Sequence, residues 1–433
     1  MKFKRFAGLL LTFVISAACV TTGFAEDIAD STEAYETVEE TVEAEEETVE
    51  TEETDTTETV YVEDIAEIED ITEDITETEE IREAEEEINE DTESVLSDGI
   101  YTESEDEAEA AFETAAAEAE ENAEIDLETE INADLATTVS YAVTGGNITL
   151  NLTTGTVTAC DSSVTAVEIP SSYGGVSITS IGSSAFSDCS NLTSVTIPDS
   201  ITTIGSWAFQ DCTNLKSITI PSSVTEIKGF AFDGCLNLAT VNNNSSITTI
   251  AGYTFSDCVR LTSVTIPDSV LTIDSGAFSG CMLLPKISLP NSLLSIGRFA
   301  FYKCSSLTSV TMPSGVITID TYAFDNCVSI KTLSLNEGLT TIGDSAFYGC
   351  IGITSLTIPE SLNSIGSYTF GKCTSLSSLT ILSTVLITSG SKYISNSASP
   401  FYKCSSLSTL YCYEGSTVDS WSWGSSVTKS YLK

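Results

Sequence analysis

The C-terminal part of this chain repeats one 23-residue pattern, and this period constrains the fold more than any other feature. One copy, from Ile181 to Ile201, reads Ile-Gly-x-x-Ala-Phe-x-x-Cys-x-x-Leu-x-x-Val-x-Ile-Pro-x-x-Ile. The regular copies are marked by Cys189, Cys212, Cys235, Cys258, Cys281, Cys304, Cys327, Cys350 and Cys373. A further copy, with Phe401 and Cys404, follows 31 residues after the last of these because of an insertion around Ser389 to Ser399. A fixed period of about 20 to 30 residues is typical of a solenoid, in which each repeat forms one coil.

A single coil is not expected to be stable alone. Its apolar side chains contribute about 1.5–3 kcal/mol each when buried, whereas ordering its residues costs about 1.5 kcal/mol apiece. Stacked coils share backbone ladders and a common core. We therefore expect the Phe and Cys of every copy to point into one continuous core.

The pattern within a coil predicts its local structure. Leu192, Val195 and Ile197 alternate with polar residues, which favours a short parallel strand that Pro198 ends because proline cannot donate to a ladder. A second short extended piece is predicted to end at Gly205. Residues Ser206 to Cys212 are predicted to form one or two helical turns. The predicted fold class is an α/β solenoid of 23-residue coils, with short parallel strands and short helical turns.

Charge divides the chain into three predicted units: residues 1–25, 26–135 and 136–433. The net charge is −49, from 65 acidic and 16 basic residues. Between Glu26 and Leu135 stand 48 of the acidic residues and a single base, Arg82. So acidic a chain lacks the clustered Lys and Arg that nucleic acids and anionic membranes require. We therefore expect no nucleic-acid partner.

The first unit has the pattern of an export signal. Lys2, Lys4 and Arg5 precede an apolar run, and Gly23-Phe24-Ala25 supplies small residues at a cleavage site. A lipoprotein signal that uses Cys19 is the alternative. The apolar run is too short to span a bilayer comfortably. We expect a secreted or cell-surface protein with no transmembrane segment once the signal is removed.

The second unit is a Glu/Thr-rich low-complexity segment with few large apolar residues, and is expected to be a mostly disordered, solvated stalk. The Ala/Glu run from Ala108 to Glu124 nevertheless contains good helix formers. A cation-binding segment and a helix that docks on a partner remain alternatives.

The repeated cysteines are expected to be buried thiols that act as small apolar residues. Ligands of zinc or of an iron–sulfur cluster must converge on one point, which a linear row does not allow. Among possible disulfides, Cys404 with Cys412 is the pair most suited to form one. We expect no metal and no cofactor.

Catalysis is not expected either. The chain has no His, which excludes Ser-His-Asp and Cys-His catalytic sets. Its acidic residues in the repeats are scattered singly, so the carboxylate pair of a glycosidase is not predicted.

Two surfaces are candidate binding sites. The predicted strands expose hydroxyl side chains, among them Thr196, Thr219, Thr265, Thr311 and Thr357. A second set consists of aromatic residues two positions before the repeat Phe, a residue class enriched in interface hot spots. Its members are Trp207, Phe230, Tyr253, Phe299, Tyr322 and Tyr368. The alternative for the hydroxyl residues is that they only suit a strand and keep the surface soluble. The alternative for the aromatic residues is that they stack between coils and stiffen the solenoid.

The repeat resembles the BspA-like leucine-rich repeat family, on the string Ile-Gly-x-x-Ala-Phe-x-x-Cys-x-x-Leu-x-x-Val-x-Ile-Pro quoted above. The resemblance covers about Tyr141 to Lys433, from a degenerate first coil with Val167-x-Ile169-Pro170 to a terminal unit with a last strand near Val427. It implies a curved leucine-rich repeat solenoid that binds proteins or host surfaces and does not catalyse a reaction. The expected function is therefore protein binding or adhesion, with a host matrix or surface protein or a glycan as partner. A structural or assembly component of a surface layer or extracellular matrix, with self-association, is the alternative.

Overall fold

The computed structural model describes residues 110–117, 120 and 138–433. The predicted signal peptide and most of the predicted acidic stalk lie outside the described residues, and their boundaries stay predictions. A short α-helix, α1, covers residues 110–117 of the acidic segment. It falls within the Ala/Glu run whose composition favours a helix.

An antiparallel unit caps the N-terminal end of the solenoid, which the repeat pattern does not predict. It consists of β1 (Thr138–Val143), β2 (Gly146–Asn151) and β3 (Thr156–Cys160). β1 pairs with β2 and β2 with β3, both antiparallel. β3 then pairs in parallel with the first short strand of the repeats, at Ser180 and Ile181. The cap thus supplies hydrogen-bond partners to an otherwise open sheet edge.

The first strand ladder contains the predicted Val-x-Ile segments. Its strands are β4 (Ala166–Glu168), β8 (Ser194–Thr196), β10 (Ser217–Ile220), β12 (Thr240–Asn243), β14 (Ser263–Val264), β17 (Ser309–Thr311), β19 (Thr332–Ser334), β21 (Ser355–Ile358), β23 (Ser378–Ile381), β25 (Thr409–Cys412) and β26 (Thr428–Tyr431). All the pairings along it are parallel. These strands form four successive short sheets, and one of the breaks lies between β14 and β17, where Pro285 takes the position of Thr262. Thr262 donates its N–H to the carbonyl of Ala239 at 3.0 Å, and proline has no such donor.

The second strand ladder confirms the predicted extended piece before Gly205. Its strands are β7 (Ser180–Ile181), β9 (Thr203–Ile204), β11 (Glu226–Ile227), β13 (Thr249–Ile250), β15 (Thr272–Ile273), β16 (Ser295–Ile296), β18 (Thr318–Ile319), β20 (Thr341–Ile342), β22 (Ser364–Ile365) and β24 (Ile387–Thr388). The remaining strands, β5 (Ser172–Tyr173) and β6 (Val176–Ser177), form a small hairpin. Gly205 is needed for close approach, because a Cβ there would lie 2.6 Å from the backbone nitrogen of Ser183 in the preceding coil.

The third side of each coil, which we call the turn side, corrects the prediction of helical turns. Residues Ser206 to Cys212 form successive tight turns with no α-helix. In the equivalent stretch one coil earlier, Ser187 and Cys189 donate N–H bonds within the turn, to Ser184 at 3.1 Å and Phe186 at 3.1 Å. Phe186, by contrast, donates its N–H to the backbone carbonyl of Ala208 in the next coil, at 2.8 Å. Alternate N–H groups therefore join neighbouring coils, which a helix would use internally.

The expected continuous core is present. The repeat Phe side chains from Phe186 to Phe401 are fully buried, and consecutive rings stack with centroids 4.9 to 5.8 Å apart. The repeat Cys side chains are buried beside them. At the C-terminal end Trp423 packs at 5.6 Å against the last ring, Phe401. A 3-10 helix, Thr417–Ser420, and β26 complete this end, which confirms the predicted last strand.

Candidate binding surfaces

The first strand ladder presents an exposed field of hydroxyl groups, which we call the hydroxyl face. Its members Thr196, Thr219, Thr265, Thr311 and Thr357 are all exposed, as the alternation predicts. The parallel register repeats each residue one coil further on, as Ser217 opposite Thr240 and Ser309 opposite Thr332 show. Inward residues between them, such as Ile218 and Val310, are buried. The face is therefore a regular, neutral array of donors and acceptors.

A shallow recess of about 210 Å³ lies at one place on the hydroxyl face. Leu335, Glu337, Thr357 and Pro359 are among the residues that line it. The volume is below the roughly 300 to 1,000 Å³ of typical small-molecule sites. The hydroxyl face is thus better suited to contact a macromolecular surface than to enclose a small ligand.

The predicted aromatic set lies on the turn side, in an unusual backbone conformation. Each member has a positive φ, between 54° and 58°. Ser184 and Ser345, at the same repeat position, share this left-handed conformation. The turn therefore imposes it, whether or not the residue is aromatic. The repeat pattern gives no sign of it, because glycine takes this position only at Gly276.

These aromatic residues stack between coils to form the aromatic row. Phe230 lies 5.9 Å from Trp207 and 4.9 Å from Tyr253, and Phe299 lies 4.9 Å from Tyr322. Trp207, Phe230, Tyr253 and Phe299 are buried, whereas Tyr322 and Tyr368 are half-buried. The two half-buried rings are therefore the members most accessible to a partner. Binding by this set stays a prediction.

The buried contacts of the aromatic row include a residue from outside the repeats. Phe112, on α1, lies 5.5 Å from Tyr253, 5.2 Å from Phe299 and 5.6 Å from Tyr302, between ring centroids. The ring of Phe112 is 5% exposed. The structure thus brings the acidic segment onto the predicted binding surface.

Cations cover rings on the C-terminal half of the turn side. The Lys303 ammonium lies 5.0 Å from the Tyr302 centroid, and the Arg298 guanidinium lies 4.9 Å from that of Phe299. Lys372 and Lys403 repeat the arrangement over Tyr348 and Tyr402, at 5.2 and 5.3 Å. Distances below about 6 Å are those of cation–π contacts.

Acidic residues occupy the N-terminal half of the same side. Burial, together with the charges of Asp188 and Asp257, raises the pKa of Asp211 to about 6. Burial also raises the pKa of Asp257 to about 6, although Lys303 opposes this shift. The pKa of Asp233 is raised mainly by burial, and its carboxylate accepts a hydrogen bond from the Gln210 side chain at 3.3 Å. Burial therefore disfavours the ionised form of these carboxyl groups, although Asp211 and Asp257, with a pKa of about 6, are still mostly ionised at pH 7.

The cysteine row is linked to the phenylalanine row by hydrogen bonds. From Cys212 to Cys404, each repeat thiol donates to the backbone carbonyl of the Phe in the preceding coil, at 3.1 to 3.4 Å. Burial raises the pKa of these thiols where a shift is resolved, and that of Cys404 reaches about 12. In the described chain Cys404 and Cys412, the pair judged most suited to a disulfide, are separate buried thiols.

One cysteine contact lies at the N-terminal end of the row. Cys160, in β3, is half-buried, and its thiol donates a hydrogen bond to the backbone carbonyl of Asp161 at 3.3 Å. Interaction between the thiols of Cys160 and Cys189 raises the pKa of Cys160 and lowers that of Cys189. A thiol with a lowered pKa is the more reactive nucleophile. The sequence does not predict this pair, because Cys160 precedes the regular repeats.

The second strand ladder exposes an aliphatic row that was not among the surfaces predicted from the sequence. Leu271, Leu294 and Ile317 are 40%, 43% and 48% exposed and stand at equivalent positions of consecutive coils. Neighbouring coils carry Thr248 and Thr340 at this position. The change from Thr to Leu or Ile in three successive copies is the signal that reveals the row.

Within residues 110–117, 120 and 138–433, no group of His, Cys, Asp or Glu is arranged to hold a metal ion. In the same residues no helix is long and apolar enough to cross a membrane.

Several solved structures are similar to this chain. A leucine-rich repeat protein from Bacteroides ovatus is 22% identical, with 69% of this chain and 99% of that chain covered and a TM-score of 0.35. A leucine rich cell surface protein from Faecalibacterium prausnitzii is 26% identical over 69% of this chain and 100% of that one, with a TM-score of 0.30. The leucine-rich repeat protein of T. pallidum is 29% identical over 48% of this chain and 86% of that one, with a TM-score of 0.36.

No curated protein matches the chain. The family model of the BspA type leucine rich repeat region matches residues 158–284 and 271–408, in six copies. These residues make up more than half of the chain, which therefore belongs to the BspA-type leucine-rich repeat family.

Proposed function

We propose that this protein is a secreted or cell-surface adhesin-like protein that binds other proteins or glycans and catalyses no reaction. The observation that carries the proposal is the hydroxyl face, on which exposed Ser and Thr side chains recur from coil to coil along parallel strands. Such a surface offers many regularly spaced hydrogen-bonding groups at little conformational cost on binding.

The core supports this proposal by keeping the surface rigid. Stacked rings join the coils from Phe186 to Phe401, and thiol-to-carbonyl bonds join those from Cys212 to Cys404. A solenoid whose repeats contact only their neighbours presents an extended surface to a partner. Its large area compensates for the absence of a deep pocket on the hydroxyl face.

Binding of the full chain to purified extracellular-matrix proteins, mucin and polysaccharides, measured by biolayer interferometry, tests the proposal. Two arginines placed on the hydroxyl face, Thr265→Arg with Thr311→Arg, should weaken a saturable interaction by about tenfold or more, as expected for a disrupted interface centre. The matched control carries the same two charges on the second strand ladder, at the exposed positions Thr248 and Asn363.

Equal losses in both double variants would contradict a role for the hydroxyl face. Sedimentation of the same samples distinguishes the structural alternative. A mass that grows with concentration, without saturable binding of any other molecule, would support an assembly component instead.

A further inference from the structure

The aromatic row has a gap that the acidic segment fills. At the position where the row would continue beyond Tyr253, the chain has Gly276. A Cβ on this glycine would lie 2.3 Å from the Tyr253 ring, so the ring lies directly over its backbone. We call the site formed by Tyr253, Gly276, Phe299 and Tyr302 the Phe cradle.

Phe112 enters the Phe cradle with favourable ring geometry. Its ring is edge-on to Tyr253 and Phe299, at interplanar angles of 70° and 86°, and stacks on Tyr302 at 29°. Edge-on and offset-stacked arrangements are the ones that aromatic rings prefer. Tyr253 is 1% and Phe299 0% exposed in this arrangement. The centre of the row is therefore covered.

The helix that carries Phe112 has one apolar face. Phe112 and Ala116, four residues apart, are both buried, whereas Glu113 and Thr114 are exposed. Residues at this spacing lie on the same face of a helix. The contact thus has the character of a helix docked by its apolar face and not of a single inserted side chain.

Charge complementarity favours an acidic occupant. Arg298 and Lys303 lie against Phe299 and Tyr302, two rings of the cradle. The occupying segment carries Glu107, Glu109, Glu113, Glu118 and Glu120 in its sequence. Opposite charges around an apolar contact improve its specificity.

We propose that the Phe cradle is an intramolecular docking site for helix α1, which fastens the acidic segment to the middle of the solenoid's turn side. The docked helix covers Tyr253 and Phe299, so these members of the aromatic row are available to a partner only after the helix leaves. This inference does not depend on the proposed function, which rests on the hydroxyl face.

Hydrogen exchange of the full chain, followed by mass spectrometry, tests the proposal. Amides of residues 110–117 should be protected in the native protein. Phe112→Ala should reduce this protection by about tenfold or more, because three ring contacts are lost. Thr114→Ala, on the exposed face of the same helix, is the matched control and should leave it unchanged. Equal exchange in the native protein and the Phe112 variant would overturn the proposal.

A variant on the cradle side completes the test. Tyr302→Ala should release residues 110–117 as Phe112→Ala does. Tyr402→Ala removes a tyrosine at the same repeat position, also paired with a lysine, but away from the cradle, and should release nothing. Exchange in β17 shows whether the solenoid itself stays folded.

Protein concentration separates docking within a chain from docking between chains. Protection of residues 110–117 that is independent of concentration is expected. Protection that appears only at high concentration would mean that the helix occupies the cradle of a second copy, and would contradict docking within one chain.

Discussion

The ring of Phe112 lies edge-on against the ring of Phe299, with centroids 5.2 Å apart, although the two residues belong to segments of opposite composition. Phe112 comes from the Glu-rich segment and Phe299 from the far less acidic repeats. Apolar contacts are non-directional and need only area to exclude water. The apolar face of α1, with Phe112 and Ala116, therefore packs on the solenoid although the segment around the helix is acidic.

The stacked phenylalanine row predicts a large cost for removing one ring. Phe347 is fully buried between Phe324 at 5.1 Å and Phe370 at 5.3 Å. Phe347→Ala should lower the free energy of unfolding by about 3–5 kcal/mol, because it leaves a cavity in a continuous core. Urea unfolding followed by circular dichroism measures the change. Tyr393→Ala, at a 63% exposed position, is the control and should have little effect.

The contact between Cys160 and Cys189 predicts selective oxidation. Mild oxidant should link these two thiols first, because they interact, the pKa of Cys189 is lowered and Cys160 is only half-buried. The deeper repeat thiols should remain reduced, since burial raises their pKa. Peptide mapping without reduction identifies the link, and Cys160→Ser should abolish it. A Cys404–Cys412 link formed earlier would contradict this prediction.

The buried carboxyl groups predict greater stability in mild acid. The pKa of Asp211 and of Asp257 is raised to about 6 in the folded protein, from 3.8. The folded protein therefore binds more protons than the unfolded chain between about pH 4 and 6, and the free energy of unfolding falls as pH rises through this window. The melting temperature should be higher at pH 5 than at pH 7.

Replacing both Asp211 and Asp257 with Asn separates the effect of these two carboxyl groups on stability from that of the other acidic residues. Asn accepts the left-handed backbone of Asp211 and Asp257, whose φ angles are 54° and 50°. The double variant should be more stable than the native protein at pH 7, by about 1 kcal/mol per group after allowance for solvent screening. Its melting temperature should also change less between pH 5 and pH 7. An unaltered pH profile would show that other carboxyl groups cause the effect.

The gap in the aromatic row predicts a severe effect of a single methyl group. Gly276→Ala places a Cβ in contact with the Tyr253 ring and on a backbone with a φ of 62°. Left-handed backbone costs a non-glycine residue about 1–2 kcal/mol before any steric clash. The variant should lower the melting temperature and release residues 110–117 to hydrogen exchange. Gly229→Ala, whose Cβ would meet only the carbonyl of Gly252 at 3.1 Å, should cost less.

Much of the solenoid follows from the repeat alone. The 23-residue period predicts the stacked coils, and the inward positions of Phe209 and Cys212 follow from their place among the apolar residues. Strands at Ser194–Thr196 and Thr203–Ile204 lie where alternation and Gly205 predict them. Periodicity is informative here because each coil must bury the same face against its neighbour.

The turns were harder to predict, for a physical reason. The Ala-Phe stretch after Gly205 has apolar spacing that suits a helix, yet its alternate N–H groups bond to the next coil. Spacing reports which side chains are buried, but not whether a backbone donor finds its partner within the turn or one coil away. The left-handed angles at Trp207 and Tyr253 follow from that choice.

The repeat pattern alone specifies a stack of 23-residue coils with buried phenylalanine and cysteine rows and exposed hydroxyl groups. What covers the aromatic row is visible only in the folded chain, because Phe112 and the Phe cradle are far apart in the sequence. The same holds for which thiols meet at the N-terminal end. Local patterns specify contacts between equivalent positions of a repeat, whereas a contact between a repeat and a unique segment depends on where folding places both of them.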